Sequence, residues 1–99
     1  MKSMIHNLDK AFESRVRLGI MTVLVVNEKS DFNNLKTLLE VTDGNLASHL
    51  KALEKLNYVK MKKSFAGRKP NTSYSITLKG KKAFEKHLNN LELLIKGYK

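Results

Sequence analysis

The sequence predicts one mainly α-helical domain with a small β-hairpin, which is an α+β fold. Four segments carry apolar residues at intervals of three and four, the period that buries one face of an α-helix. Two later segments alternate apolar with polar residues, as β-strands do, and a stretch containing Gly and Pro lies between them. The 99 residues suffice for one hydrophobic core but not for two. A single domain over residues 1–99 is therefore expected, and a two-domain enzyme is excluded.

The first helix is predicted over residues 8–26. A strand over residues 20–26 competes with it, because this stretch is rich in β-branched side chains. The helix is favoured because no turn residue separates the stretch from the amphipathic part before it, although Gly19 can mark a break between a short helix and a longer one. Residues 27–31 are predicted to form a polar loop. The apolar positions at helical intervals are Leu8, Phe12, Val16, Ile20, Val23 and Leu24.

The second and third helices are predicted with a very short turn between them. Asn33 can cap the second helix through its side-chain oxygen, and this helix ends near Glu40. Thr42 can cap the third helix, which covers about residues 42–57. The leucines of each helix share one face, which is expected to be buried. They are Leu35, Leu38 and Leu39 in the second helix, and Leu46, Leu50, Leu53 and Leu56 in the third.

The opposite face of the third helix carries small or basic side chains. Small side chains let a helix come close to a partner, and lysines favour a negatively charged one. The helix is too short for a leucine zipper, so it is interpreted as one member of a helix pair. On a helical wheel that starts from the leucines, this face contains Gly44, Ala47, Ser48, Lys51, Ala52 and Lys55.

A hairpin is predicted over about residues 58–78, with strand alternation at both of its ends. Residues 65–72 between the two alternating segments are predicted to form a long basic tip. Thr77 can cap a fourth helix over about residues 78–96. The apolar face of this helix repeats at intervals of four, three and four residues, with one further leucine on its flank. Its members are Phe84, Leu88, Leu91, Leu94 and Ile95.

The charge of the chain is large and confined to its second half. Nineteen Lys and Arg stand against nine Asp and Glu, which gives a net charge of +10. Residues 1–49 contain six bases and six acids, whereas residues 50–99 contain thirteen bases and three acids. A run of solvated lysines is the simplest interpretation. Because the excess is segregated, we favour a polyanionic partner, and a nucleic acid in particular.

Several functional classes lack the residues that they need. Cysteine is absent, which excludes disulfides, thiolate metal sites and thiol nucleophiles. The three histidines are far apart in sequence, and neither a Gly-rich phosphate loop nor paired acids occur, so no metal, cofactor or enzymatic activity is expected. The longest apolar stretch, residues 18–26, has about half the length that spans a bilayer. Charged residues interrupt any secretory signal, so a cytoplasmic protein is expected.

The order of elements and three short motifs resemble small winged helix-turn-helix transcriptional regulators. This fold combines a helix–helix–helix–hairpin–helix order with a short turn between the second and third helices. Residues 42–59, TDGNLASHLKALEKLNYV, are similar to the recognition-helix region of MarR-like and ArsR-like regulators. GRKP at residues 67–70 and ITLKG at residues 76–80 resemble the wing tip and the start of the C-terminal helix. The resemblance covers residues 16–96.

The resemblance implies a transcriptional regulator, a repressor by expectation, that binds specific sequences of double-stranded DNA. Its third helix would lie in the major groove and its hairpin at the minor groove. Asn45 can bond a base edge, and Lys51 can neutralise a phosphate. His49 matches a family position close to DNA but leans towards the leucines, so DNA contact and packing both stay open. The expected DNA-contacting residues are Thr42, Gly44, Asn45, Ala47, Ser48, His49, Lys51, Lys62, Lys63, Arg68, Lys69, Thr72 and Ser73.

A homodimer is expected, because one winged helix reads too few base pairs, whereas a two-fold pair reads two half-sites about 34 Å apart. The predicted interface is an apolar seam between the first and last helices. For these residues the alternative is that they fill the core of the monomer. The seam contains Leu8, Phe12, Val16, Phe84, Leu88, Leu91, Leu94 and Ile95.

The sequence also departs from both regulator groups. The metal-sensing cysteines of ArsR-like proteins are absent at residues 39–43, so that sensor chemistry is not expected. MarR-like regulators are longer and use their extra helices to build a ligand pocket, so an effector stays an open question. A winged helix that binds RNA or another protein without operator specificity is the alternative function.

Overall fold

The computed structural model describes residues 6–97. From residue 10 onwards these residues form a short 3-10 helix, four α-helices and one three-stranded antiparallel sheet with strand order β1–β3–β2. The predicted α+β fold class is confirmed. The bounds are α1 Arg15–Asn27, β1 Lys29–Asp31, α2 Phe32–Leu39, α3 Asp43–Lys55, β2 Val59–Ala66, β3 Lys69–Ile76 and α4 Leu78–Lys96.

The N-terminal helical region is divided at a different place from the expected one. A 3-10 helix covers Lys10–Phe12, and α1 follows after a break. Ser14 caps α1, because its side-chain oxygen accepts a hydrogen bond at 3.3 Å from the backbone amide of Arg17. The prediction of one continuous helix over residues 8–26 is therefore wrong at its start. Over residues 20–26 the helix is confirmed, and the competing strand is wrong.

Gly19 lies inside α1 and does not mark a break. A Cβ atom at this position would lie 2.7 Å from Cδ2 of Leu39 on α2. Glycine is a poor helix former, but here its missing Cβ leaves room for the end of the Leu39 side chain. The residue therefore serves the packing of the two helices.

The polar loop predicted at residues 27–31 is wrong, because Lys29–Asp31 forms strand β1. This strand pairs with β3, and Ser30 lies opposite Tyr74 in the register and is buried. The strand also moves the start of α2. The cap of α2 is Asp31, whose carboxylate accepts a hydrogen bond at 2.7 Å from the amide of Asn34, and the predicted cap, Asn33, lies within the helix.

The hairpin has a shorter tip than predicted. Strands β2 and β3 stay paired as far as Ala66 and Lys69, so only Gly67 and Arg68 form the turn. Gly67 has a φ of 68°, a left-handed conformation that glycine adopts without steric cost. Pro70 lies beyond the part of β3 that pairs with β1, so its missing N–H breaks no bond on that side.

The core lies where the helices meet the sheet, and α1 and α3 each contribute three fully buried side chains to it. The leucine face predicted for α2 and α3 is buried in part, since Leu38 and Leu56 are exposed. Leu56 is exposed because α3 ends before it and the residue follows as the C-cap. Among residues 6–97, no helix is long and apolar enough to cross a membrane. The fully buried large side chains are Phe12, Ile20, Met21, Leu24, Leu35, Leu46, Leu50 and Leu53.

An aromatic cluster joins the N-terminal segment to α4. The ring of Phe12 lies 5.4 Å from that of Phe84, 5.2 Å from that of His87 and 5.6 Å from that of Tyr58. The Tyr58 hydroxyl donates a hydrogen bond to the Asp9 carboxylate at 2.7 Å. Burial and this hydrogen bond raise the pKa of Tyr58 to about 12, so the phenol keeps its proton and remains a donor.

The junction between the hairpin and α4 is tight. Thr77 caps α4 as predicted, because its hydroxyl oxygen accepts a hydrogen bond at 2.9 Å from the amide of Gly80. The Tyr58 carbonyl accepts a hydrogen bond at 3.1 Å from the Thr77 amide and lies directly against Gly80. A Cβ atom at Gly80 would overlap this carbonyl group, so only glycine fits.

We therefore expect Gly80→Ala to lower the free energy of unfolding by about 2 kcal/mol or more, because the methyl group meets backbone that cannot rotate away. Urea unfolding followed by circular dichroism measures the change. Gly44→Ala is the matched control, since the space around its Cβ is open and alanine favours a helix. Equal stability of the wild type and Gly80→Ala would contradict the tight junction.

Candidate nucleic-acid interface

Helix α3 is fixed at its start by local contacts. The Thr42 hydroxyl oxygen accepts a hydrogen bond at 3.2 Å from the Asn45 amide, which confirms Thr42 as the cap. Asp43 follows in the first turn, where the positive end of the helix dipole favours a carboxylate. Its Oδ1 atom also lies 2.7 Å from Nζ of Lys36, which connects α2 to α3 across the short turn. The cap thus fixes the start of α3, and the ion pair connects it to α2.

The face of α3 opposite its buried leucines is on the surface of the subunit. A Cβ at Gly44 would have no neighbour within 4 Å, and the backbone is therefore open to a partner at this point. The predicted contact residues of this helix are placed together on one accessible side. The exposed members are Thr42, Gly44, Asn45, Ala47, Ser48 and Lys51.

His49 differs from these residues because it is half-buried and tied to α1. Its Nδ1 atom accepts a hydrogen bond at 3.0 Å from Nε of Arg17. An imidazole nitrogen that accepts has no proton, so the proton of the neutral ring is on Nε2. Arg17 is the residue that the sequence reasoning missed, since a contact across 32 positions leaves no local pattern.

The hairpin places its predicted contact residues on both of its faces. Lys62 lies opposite Ser73 in the register, and Lys63 lies opposite Thr72. Because neighbouring residues of a strand point to opposite faces, these two pairs are on different sides of the wing. Arg68 is in the turn and Lys69 begins β3, and both are exposed. The predicted wing residues are therefore near each other along the hairpin but do not share one surface.

The electrostatic character of the hairpin is uniform. Residues 59–76 contain five bases and no acid, and all five bases are exposed. The first is Lys60, near the base of the wing, and the last is Lys69, next to the turn. A projecting cationic arm of this kind raises the local concentration of a polyanion.

The residues predicted for a dimer seam fall into three groups. Phe12 and Phe84 are buried inside the subunit, where they contact each other. Leu88, Leu91 and Ile95 are exposed on the second half of α4. The remaining members are half-buried: Leu8, Val16 and Leu94. The alternative that these residues fill the core thus holds for two members, and for the three that face solvent the seam stays a prediction.

A metal site is not formed by any part of the chain that the structure describes. In residues 6–97, no three His, Asp or Glu side chains come together as possible ligands. His87 is buried, and its Nδ1 atom accepts a hydrogen bond at 3.1 Å from the amide of Asp9. This histidine thus has a role in packing the N-terminal segment against α4.

Three packed helices, a short turn before an exposed third helix and a cationic two-stranded wing define a winged helix-turn-helix. The chain belongs to the winged helix DNA-binding domain family, whose model matches residues 16–95. The predicted resemblance to MarR-like winged-helix regulators of transcription is likewise confirmed.

Two archaeal proteins are similar over most of their length. The uncharacterized protein MJ0432 of Methanocaldococcus jannaschii is 41% identical over 87 residues, which are 88% of this chain and 95% of that protein. The structure of a transcriptional regulator homologue from Pyrococcus horikoshii OT3 is 34% identical with a TM-score of 0.87, covering 98% of this chain and 94% of that one. Together with the family model, the second of these relatives places the chain among winged-helix transcriptional regulators.

A more distant structure shows the same fold. The YusO protein of Bacillus subtilis is 16% identical and superposes with a TM-score of 0.78. The match covers 98% of this chain and 71% of YusO. The arrangement of helices and wing is therefore preserved where the sequences have diverged widely.

The contact between Arg17 and His49 gives a test that needs no ligand. In the wild type we expect ¹⁵N shifts of the His49 ring to show protonation at Nε2 and none at Nδ1, because Nδ1 accepts from Arg17. Arg17→Met removes the donor, so a mixture of tautomers should result. Arg15→Met removes the same charge from an exposed position of α1 and is the control. An unchanged tautomer in Arg17→Met would show that Arg17 does not hold the ring.

Proposed function

We propose that this protein is a homodimeric repressor of transcription that binds specific sequences of double-stranded DNA. The observation that carries the proposal is the accessible face of α3, whose side chains are small or polar. The wing of the same subunit contains no acidic residue. Family membership supports DNA as the partner. Occupation of a promoter by the dimer would repress transcription by excluding other proteins.

Helix α3 enters the major groove with its first turns towards the bases. Gly44, Ala47 and Ser48 have side chains that protrude little from the helix, so the backbone can approach the floor of the groove. Asn45 can donate to and accept from an adenine edge, which is the bidentate pairing that an amide side chain makes best. Lys51, one turn beyond Ala47, contacts a phosphate. Base edges then give specificity, and the phosphate contact sets the depth of the helix.

The wing adds affinity at the adjacent minor groove. Arg68 is in the two-residue turn, the part of the hairpin farthest from the core, and a narrow minor groove attracts an arginine. Lys62 and Lys63 point to opposite faces of the wing. Each can therefore contact one of the two sugar-phosphate backbones that border the groove. Thr72 and Ser73 lie beside them as neutral polar residues, and the Ser73 hydroxyl already donates a hydrogen bond to the Lys62 carbonyl at 3.4 Å.

The first test uses Ser48→Glu, which places a carboxylate on the face that should meet bases and phosphates. We expect the affinity for a duplex enriched from a random pool to fall about a hundredfold or more, because like charges in an interface repel strongly. Fluorescence anisotropy measures the affinity. Thr22→Glu is the matched control, since it adds the same charge at an exposed position on the side of α1 away from Arg17. Unchanged binding by Ser48→Glu would mean that α3 is not the reading helix.

Competition at fixed salt separates the proposed function from the alternative. The competitors are the enriched duplex, a random duplex and a structured RNA of the same length. Preference for the enriched duplex, together with a steep linear fall of log affinity with log salt, supports operator binding. Equal competition by all three would leave only the general attraction of a polycation. Preference for the RNA would favour the alternative.

The dimer is proposed on the exposed apolar side of α4. Leu88, Leu91 and Ile95 follow each other at intervals of three and four, so they form one stripe. Burying such a stripe against a second copy removes apolar surface from water on both subunits. Two-fold symmetry would then present two α3 helices to successive turns of the major groove.

A single substitution tests this interface. Leu91→Asp should convert the dimer into a monomer in sedimentation at micromolar concentration, because a carboxylate would be buried at the centre of the stripe. Leu93→Asp is the control, as Leu93 is also exposed, at 59% against 38% for Leu91, but lies on the other side of α4. If the wild type is itself a monomer under these conditions, the stripe does not join two copies.

A further inference from the structure

One aromatic side chain on the wing lies outside the hydrophobic core. The Phe65 side chain is 75% exposed near the end of β2, whereas Phe12 and Phe84 are buried. It is directly opposite Pro70 in the register, and Ala66 follows it before the turn. The tip of the wing is thus apolar at its surface, although every charged residue of the hairpin is basic.

The position of Phe65 in the strand fixes which residues surround it. It lies on the same face as Lys63 and Thr72, because residues two apart on a strand, and residues paired across two strands, share a face. It is also only three residues from Arg68 in the turn. The ring therefore projects from a surface whose positive charge attracts polyanions. Arg68, the residue proposed to enter the minor groove, lies at the end of this surface.

We propose that Phe65, supported by Pro70, is an apolar wedge that enters the minor groove beside Arg68, partly unstacks one base step and bends the duplex. The inference depends on the proposed function, because it requires that the wing bind duplex DNA. Minor-groove proteins insert phenylalanine or leucine between base pairs in this way and open the groove towards a bend. Arg68 and the lysines supply the attraction that brings the ring to the groove.

Charge complementarity favours DNA over other partners for this apolar tip. Phe65 and Pro70, which share one face of the tip, form too small a patch for a stable protein interface, which buries about 800 Å² on each partner. Lysines are depleted at the core of protein interfaces, yet here Lys63 lies on the same face as the ring. Proteins that bind single strands stack successive bases on several aromatic rings, and the wing offers one. A single ring suits a single base step.

The wedge has a consequence for sequence preference. Unstacking costs least at pyrimidine–purine steps, and TA above all, because these steps stack weakly. The wing would therefore select such a step without a hydrogen bond to any base. This selection would act beside the base contacts of α3 and at a separate position in the site.

The test uses a duplex enriched from a random pool by the wild-type protein, with a donor and an acceptor dye at its ends. Energy transfer reports bending, and 2-aminopurine placed in turn at each flanking step reports unstacking. The wild type should shorten the end-to-end distance and raise 2-aminopurine fluorescence at one step. Phe65→Ala should lose both signals and bind roughly tenfold more weakly. Phe65→Leu should retain much of both, since leucine is also a wedge.

Two controls separate the wedge from other effects. Val26→Ala truncates an apolar side chain that is also 75% exposed, but on α1, and should bind and bend DNA as the wild type does. Arg68→Ala should weaken binding and lower the salt dependence, whereas Phe65→Ala should leave the salt dependence unchanged, because it removes no charge.

The remaining outcomes overturn the inference in distinguishable ways. If the wild type binds the enriched duplex but leaves it straight and stacked, the wedge is wrong and the proposed function survives. If Phe65→Ala weakens the binding of a uridine-rich single strand more than that of the duplex, the ring stacks on single-stranded bases instead. If no duplex is enriched at all, both proposals fail.

Discussion

The candidate site depends on the burial of three leucines. Leu46, Leu50 and Leu53 of α3 are completely buried in the core, and this contact decides which side of the helix remains accessible. Because α3 buries only this one stripe, the small and basic residues on its opposite side stay at the surface. The rotation of α3 about its own axis thus determines both which side chains pack in the core and which are accessible to DNA.

The contacts around α3 keep that rotation fixed. Thr42 closes the first turn, the ion pair between Lys36 and Asp43 connects it to α2, and Arg17 of α1 binds the imidazole of His49. The ion pair is exposed and adds little stability by itself. Together, however, these contacts hold α3 from both of the helices that precede it. A reading helix needs such support, because a small displacement would move its side chains away from the base edges.

Local chemistry explains what the sequence predicted well. The caps at Thr42 and Thr77 depend on residues within three positions, and the leucine period of α3 is contained in one helix, so both are visible in the sequence. Strand β1 was missed because three residues show no alternation and their pairing partner is β3, far along the chain. That pairing also explains why Asp31 caps α2 in place of Asn33. Pro70 suggested a long tip because proline is usually excluded from paired strands. It is accepted here because β3 is unpaired on one side at this position, which is a tertiary property that the sequence does not show.

The glycine at the base of the wing has a geometric consequence for any assembly of two copies. Gly80 allows the first turn of α4 to lie against the Tyr58 carbonyl, and this contact sets the direction in which the long helix leaves the wing. If α4 joins the subunits, its direction also sets the separation of the two α3 helices. The distance between operator half-sites would then depend in part on the absence of a Cβ atom at Gly80.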